Sequence, residues 1–442
     1  MTARYGPQEV ARLLELPEPT AEQAAVIAAP AQPLAVIAGA GSGKSETMAA
    51  RLVWLVANGL VRPDRVLGLT FTRKAAAELA ERVRSRLDRL RRSGIAVASA
   101  ESPAPDIPAT GSTTLVTDDA AIPFAGDPVI STYHAYAGRL VADHALREGL
   151  EPSMRLITPA ESWQLAARIV AGYDGPMGDI TWGPPTVTAA VLALSGELSE
   201  HLRDPADVEA VGEWLDTRQA ALGKLPAYIK KIMQSQRARE QLLPLTALYS
   251  AEKRVREVLD HGDQMALAAR IASRHPEVGL TERSRYHVVL LDEYQDTSHA
   301  QLVLLRALFS GGHPVTAVGD PCQSIYGWRG ASAGNLRRFS EDFPVLPRPP
   351  RPGVAGWPAP VKLLSTSFRN AGRVLDTAAV LQQRLRAEAP DVPRLKPAPD
   401  RDGRGWVACA LLETAAAEAG WVAGRVKRLL SLPPGIAPDG QP

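Results

Sequence analysis

Short unbroken apolar runs recur along the chain, each ending in glycine or polar residues: PLAVIAGAG (33–41), RVLGLTFT (65–72), DPVISTYH (127–134), HVVLLDEYQ (287–295) and HPVTAVGD (313–320). Apolar residues at every position, without the alternation of a half-solvated strand, predict strands buried on both faces of a parallel sheet. Between them the period changes. Over 73–92, Ala76, Leu79, Ala80, Val83, Leu87 and Leu90 recur at three- and four-residue spacing. That spacing predicts an amphipathic helix stopped near Gly94, with Arg82, Arg86, Arg89 and Arg92 on its opposite face. Strands alternating with helices predict a doubly wound α/β fold.

Two stretches break the alternation. Residues 95–127 are small, proline-bearing and aperiodic, and read as a surface loop with some disorder. Residues 136–285 are helical in character and long enough for a separate inserted domain. TPAESWQLAARIVAGY shows the start signals, with Thr158 as N-cap, Pro159 in the first turn and Glu161 closing a capping box. PVLPRPPRPGVAGWPAP (344–360) reads as a linker. Beyond it VKLLSTSFRN, a helix from about 371 and WVACALL resemble the opening of another α/β unit. The expected division is a first α/β domain from 1–135 and 286–343, a helical insert at 136–285, the linker at 344–360, and an incomplete second α/β domain at 361–442.

Composition changes this picture little. The 442 residues, 45% hydrophobic and 22% charged, suit roughly three globular domains of about 150 residues. A net charge of +2 makes any basic surface a local feature. Cys322 and Cys409 are too few for a disulfide framework or zinc cluster, which suits a reducing compartment. The N-terminus has no signal-peptide core, and no apolar run reaches the ~18 residues that span a bilayer. A cytoplasmic protein with no membrane partner is expected.

The candidate chemistry sits at two strand ends. AVIAGAGSGKSETM places a glycine-rich turn between a strand and a helix, where backbone N–H groups wrap phosphates, a lysine reaches the outer ones and a hydroxyl binds Mg²⁺. Ala38, Gly39, Ala40, Gly41, Ser42, Gly43, Lys44, Ser45 and Glu46 are therefore expected against a nucleotide. Ala38 stands where the usual phosphate-loop pattern opens with glycine. The second end is VVLLDEYQDTSHAQ (288–301). Asp292 is expected to hold the metal with Ser45, and Glu293 to orient and deprotonate a water attacking the γ-phosphate. Helix capping accounts for Asp296 or Thr297, but not for two carboxylates at a buried strand end, where a cation is needed. Gln23, in TAEQ, reads either as a capping-box residue or as an adenine contact.

Seven ordered blocks over residues 20–370 resemble superfamily 1 DNA helicases of the UvrD/Rep/PcrA type: TAEQ, AGAGSGKS, GLTFTRKAAAEL, STYHAYA, LLDEYQDTSHAQ, AVGDPCQSIYGWRGA and TSFRN. GSGKSETMAARLVWLVANGLV is also similar to the B subunit of actinobacterial AdnAB helicase-nucleases. The resemblance implies a RecA-like phosphate-loop motor domain 1A, an inserted domain 1B and the start of a second motor domain 2A. It implies ATP and Mg²⁺ as cofactors, 3′ to 5′ translocation on single-stranded DNA, and work at duplex junctions in repair or end processing, with a second helicase subunit as a possible partner. By the same resemblance Gln23 meets adenine, Lys44 the β/γ-phosphates, and Gln295 and Gln323 couple the γ-phosphate to DNA. Arg369 reaches that phosphate from the second motor domain; its alternative is a surface ion pair.

Phe71, Tyr133, His134, Tyr326 and Trp328 fall at or just past strand ends inside blocks that resemble DNA-contacting motifs, so they are expected to stack on bases. Arg73, Lys74 and Arg329 are the nearby cations for phosphates. YIKKIMQSQRARE in the insert reads as a solvated face, or as a grip on duplex DNA. Departures from the family are Gly327 between two aromatics, Tyr133 where phenylalanine is common, and no block after 370 resembling motifs V and VI. An N-terminal fragment of a longer product is expected, with no nuclease in this chain. The alternative is an ATP- and DNA-binding assembly subunit without productive unwinding. A phosphate-loop kinase or GTPase leaves GDPCQSIYGWRGA and SFRN unexplained.

Overall fold

The computed structural model describes residues 3–93, 126–178, 180–222, 225–327, 330–347, 356–389 and 392–432. The loop expected at 95–127, apart from its last two residues, and the middle of the expected linker at 344–360 lie outside them.

The chain opens with helices α1 (Pro7–Leu13) and α2 (Ala21–Ile27), then alternates strand and helix: β1 (Leu34–Ala38), α3 (Lys44–Ala57), β2 (Val66–Thr70), α4 (Arg73–Arg92), β3 (Val129–Thr132) and α5 (Tyr133–His144). A helical excursion follows, flanked by the two-residue strands β4 (Arg155–Leu156) and β5 (Val258–Leu259), which pair in parallel. It contains α6 (Pro159–Ala171), α7 (Pro184–Glu200), α8 (Pro205–Leu222) and α9 (Ala227–Val255). The alternating pattern resumes with α10 (His261–Arg274), α11 (Pro276–Arg285), β6 (Val288–Leu291), α12 (His299–Phe309), β7 (Val315–Gly319), α13 (Ala333–Asp342) and β8 (Val361–Leu364).

Six strands form one wholly parallel sheet in the order β3-β2-β6-β7-β1-β8. This is the expected α/β fold of RecA-like type: mostly helical, around a central parallel sheet. Every residue of β1, β2, β6 and β7 is buried, as their unbroken apolar runs require. β3 is different: it closes one edge, pairs only with β2 and is half exposed. Along β1 the side chains alternate between two cores. Ala35 and Ile37 join a cluster with α5, α10, α12 and α13, whereas Leu34, Val36 and Ala38 join one built on α1 to α4.

The separate helical core is smaller than expected. Leu165, Ala166, Val187, Val191, Leu194, Leu242, Leu243, Leu245 and Tyr249 form a third cluster, all from α6, α7 and α9. Met265, Leu267, Ile271 and Val278 of α10 and α11, and Tyr136 and Leu140 of α5, instead pack in the first sheet core. The insert with its own core thus lies inside 136–285, because the flanking helices carry apolar faces that cover the sheet. The Thr158 to Glu161 capping box opens α6 as read.

The expectation of a second sheet opening at 361 is not met. β8 pairs in parallel with β1, Ala35 opposite Val361 and Ala38 opposite Leu364, and is the sixth strand of the first sheet. Residues 406–412 form no strand, since a strand needs a neighbour to take its backbone groups, and none is present among the described residues. The remaining elements are the short pair β9 (Thr366–Ser367) and β10 (Lys396–Pro397), α14 (Gly372–Leu381) in the expected place, α15 (Gln383–Glu388), and α16 (Ala415–Leu430), which buries none of its residues.

Candidate functional site

β1 ends at Ala38 and α3 starts at Lys44, so five residues must reverse the chain at a helix N-terminus. Gly41 (φ +76°) and Gly43 (φ +80°) take the left-handed conformations that L side chains resist. A Cβ on Gly43 would stand 2.9 Å from Gln23 Nε2, and one on Gly41 would stand 2.6 Å from Arg369 Cβ. Ser42 points inward and donates to the Gly39 carbonyl at 2.8 Å, while Thr47 donates to the Gly43 carbonyl at 2.9 Å. The turn is braced from within, and the unpaired N–H groups of the first turn of α3 make an anion site. Glu46, expected against the nucleotide, has partners within the protein. It pairs with Arg86 and Arg82 of α4, and Arg86 is correspondingly buried rather than solvated.

The acidic edge faces this turn. Lys44 Nζ lies 3.5 Å from Glu293 Oε2, which brings the two strand ends into one cleft. Asp292 is 4% exposed. Burial, then the Glu293 charge, pushes its carboxyl up to about 6, against the Glu293 N–H and Lys44 that favour the anion. Glu293 itself has φ +49°, a left-handed backbone held by its surroundings. Gln295 donates to Glu293 Oε2 at 2.8 Å, and its carbonyl oxygen accepts the Asp320 N–H at 2.9 Å. Gln323 donates to the Asp320 carboxylate. A continuous polar chain therefore runs from Lys44 through Glu293, Gln295 and Asp320 to Gln323, across the ends of β6 and β7. A Cβ on Gly319 would come 2.5 Å from Gln295 Oε1, so this close approach needs glycine.

The capping explanation for Asp296 and Thr297 is corrected, because Ser298 is the N-cap of α12, in a capping box with Gln301. Asp296 stays buried, and burial with the Glu293 charge pushes its carboxyl up to about 6.

Gln23 takes the capping-box role read for TAEQ and also touches the phosphate turn. Its Oε1 accepts the Thr20 N–H at 3.0 Å as a capping box, and its Nε2 donates to the Ser42 carbonyl at 3.3 Å. One amide proton and one oxygen lone pair remain.

Residues 365–370 lie along the other side of the turn. Phe368 N–H donates to the Gly41 carbonyl at 2.9 Å, and Ser367 Oγ to the Ala40 carbonyl at 2.9 Å. Ser365 N–H donates to Glu22 at 2.7 Å, and Leu395 covers Gly39. Arg369 is exposed beside Gly41, and among the described residues no carboxylate pairs with it. Ser367, Phe368, Asn370 and Glu22 went unread in the sequence, although TSFRN and TAEQ contained them.

The expected base-stacking set divides. Phe71 and Tyr326 stack on each other at 5.1 Å between centroids and 23° between planes, which joins the ends of β2 and β7 in one aromatic patch. Arg73 and Lys74 are exposed in the first turn of α4 beside it. His134 sits edge-on to His261 at 5.5 Å. Tyr133 is a correction: 3% exposed, it packs in the sheet core and its hydroxyl donates to the Asp292 carbonyl at 3.3 Å, so it offers no face to a base. The first residue of α5 turns under β6 and braces the acidic edge from behind. Trp328 and Arg329 lie outside the described residues.

A parallel sheet whose first strand runs through a braced glycine turn into a helix, with a carboxylate pair at the end of the next strand but one, defines a phosphate-loop domain of RecA-like fold. Comparison with known proteins narrows the class. The UvrD/REP helicase N-terminal domain matches residues 19–344, and the chain belongs to that family. It is 28% identical over 326 residues to the ATP-dependent DNA helicase PcrA of Staphylococcus aureus, covering 73% of this chain and 36% of that protein. It is also 28% identical over 320 residues to a probable DNA helicase II homolog of Rickettsia felis (70% and 38%), and 26% identical over 347 residues to PcrA of Bacillus subtilis (78% and 37%). The chain spans little more than a third of these relatives.

Proposed function

We propose that this chain is the nucleotide- and DNA-binding part of an ATP-dependent DNA helicase that moves 3′ to 5′ on single strands. The observation that carries this reading is the Lys44 to Glu293 contact at 3.5 Å, which joins the phosphate turn to the acidic edge. In this reading the backbone from Gly39 to Lys44 cradles the phosphates, Lys44 neutralises the outer ones, and the free amide groups of Gln23 meet adenine. Glu293 orients the attacking water and takes its proton. Arg369, beside Gly41, stabilises charge at the γ-phosphate.

Mg²⁺ suits the same cleft, because the Asp292 carboxyl is buried beside the Glu293 charge, where a cation would offset the cost of burial. Ser45 and Asp292 would hold the ion, which would neutralise phosphate charge. The polar chain to Gln323 carries the state of the phosphate end to Phe71 and Tyr326, whose rings take up bases, with Arg73 and Lys74 on the backbone phosphates. The resemblance of the α3 region to AdnAB B subunits supports the finer reading of end processing or repair beside a second helicase subunit, and two isolated cysteines suit the cytoplasm.

The test is ATP turnover by the full-length protein with and without single-stranded DNA. DNA is expected to raise turnover, and Glu293→Gln to lower it by roughly 10² to 10⁴ while sparing nucleotide binding. Turnover indifferent to both would refute the assignment. Binding of ATP and DNA without turnover would favour an assembly subunit.

A further inference from the structure

Arg51 lies two turns beyond Lys44 in α3 and is 1% exposed, yet no carboxylate pairs with it among the described residues. Its guanidinium donates to four backbone carbonyls and one hydroxyl. Nη1 donates to the carbonyls of Val26 (2.9 Å), Ile27 (3.1 Å) and Ala29 (2.7 Å), and Nη2 to that of Pro30 (3.0 Å). Nε donates to Thr316 Oγ1 of β7 at 3.2 Å. The carbonyls belong to the last turn of α2 and the bend into β1. A seven-residue helix has little internal bonding, and its C-terminal carbonyls are the groups left without partners. A cation there meets the negative end of the helix. Burial lowers the guanidinium to about 10, so it remains charged at neutral pH.

Burying a charge with no counter-charge is costly, and an apolar side chain would fill the same space more cheaply. What the arrangement gains is location. The first turn of α2 carries Gln23, which touches Ser42 and crowds Gly43, so a shift of α2 moves that amide against the phosphate turn. We propose that Arg51 is a positioning residue for nucleobase recognition: a strut from the phosphate-turn helix that fixes α2 so that the free donor and acceptor of Gln23 face the base. The inference rests on the reading of Gln23 as an adenine contact.

The test is equilibrium binding of ATP, GTP and inorganic tripolyphosphate to the intact chain, comparing the natural protein with Gln23→Ala, Arg51→Met and Arg51→Lys. Gln23→Ala should abolish the preference for ATP over GTP. Arg51→Met should weaken ATP by about tenfold, as expected for the loss of one well-placed hydrogen-bond pair, and leave tripolyphosphate affinity intact. Arg51→Lys keeps the charge without the planar fork and should lose part of the preference, which also decides the matter if the methionine variant does not fold. The inference is overturned if a folded Arg51 variant keeps the natural ATP to GTP ratio, or weakens tripolyphosphate as much as ATP. If Gln23→Ala itself keeps the ratio, the adenine reading fails first and the role of Arg51 falls with it.

Discussion

At the scale of single residues, the site is held under electrostatic load. Asp292 has a folded pKa of about 6 against an ordinary 3.8, so the folded state binds its proton more tightly than the unfolded state does. The sign follows: this carboxyl is harmless below about pH 4 and destabilises the nucleotide-free protein as pH rises through 6. Asp292→Asn should therefore stabilise the free protein by up to about 3 kcal/mol at pH 7, a gain that shrinks toward zero at pH 4. Denaturant unfolding across that range checks it, and a pH-independent difference would contradict it. Tyr133 gives a second prediction. Tyr133→Phe removes a long hydrogen bond to the Asp292 carbonyl and should cost about 1 kcal/mol of stability without changing single-strand affinity. Phe71→Ala should instead weaken single-strand binding by roughly 1 to 3 kcal/mol, read by fluorescence anisotropy. The sequence could not separate these two aromatics. Both follow a strand end, and only the packing of α5 under β6 decides which ring faces out.

At the scale of elements, the buried strands and the phosphate turn were legible because their signals are local: an unbroken apolar run, or glycines followed by Lys-Ser. The capping boxes of α2 and α6 were legible for the same reason. The place of β8 was not, because VKLL reads alike as the first strand of a new sheet or the last of an old one, and the partner is a long-range matter. Arg51 and Arg86 were missed because a buried arginine looks like a solvated one until its acceptors are in place. The close approach of residues 367–369 to the turn predicts the consequence of adding one methyl group. Gly41→Ala meets both a positive φ and Arg369 Cβ, so it should lower stability by about 1 to 2 kcal/mol and impair ATP binding. Gly420→Ala, inside the exposed α16 with open space around its Cβ, should be neutral or stabilising by up to about 1 kcal/mol. Thermal unfolding of the two variants checks the contrast, and equal effects would contradict it.

At the scale of the whole molecule, one sheet collects most of the proposed machinery. The phosphate turn leaves β1, the aromatic patch follows β2 and β7, the acid pair ends β6, and β8 leads into Arg369, all at the carboxyl ends of parallel strands, where open α/β sheets bind ligands. The helical insert stands apart on its own core, joined through α5 and α10 to the helices that cover the sheet. In the proposed function, such a layout would let the nucleotide state reach DNA through a short polar chain rather than through a distant rearrangement. The proposed function depends on a triphosphate that Lys44 would hold and a metal that Asp292 would hold. The most direct measurement is the affinity for ATP with and without Mg²⁺, in the natural chain and in Asp292→Asn. The account predicts that Mg²⁺ strengthens ATP binding only in the natural chain, with metal-free affinity similar in both. An equal Mg²⁺ dependence in the two proteins would contradict it.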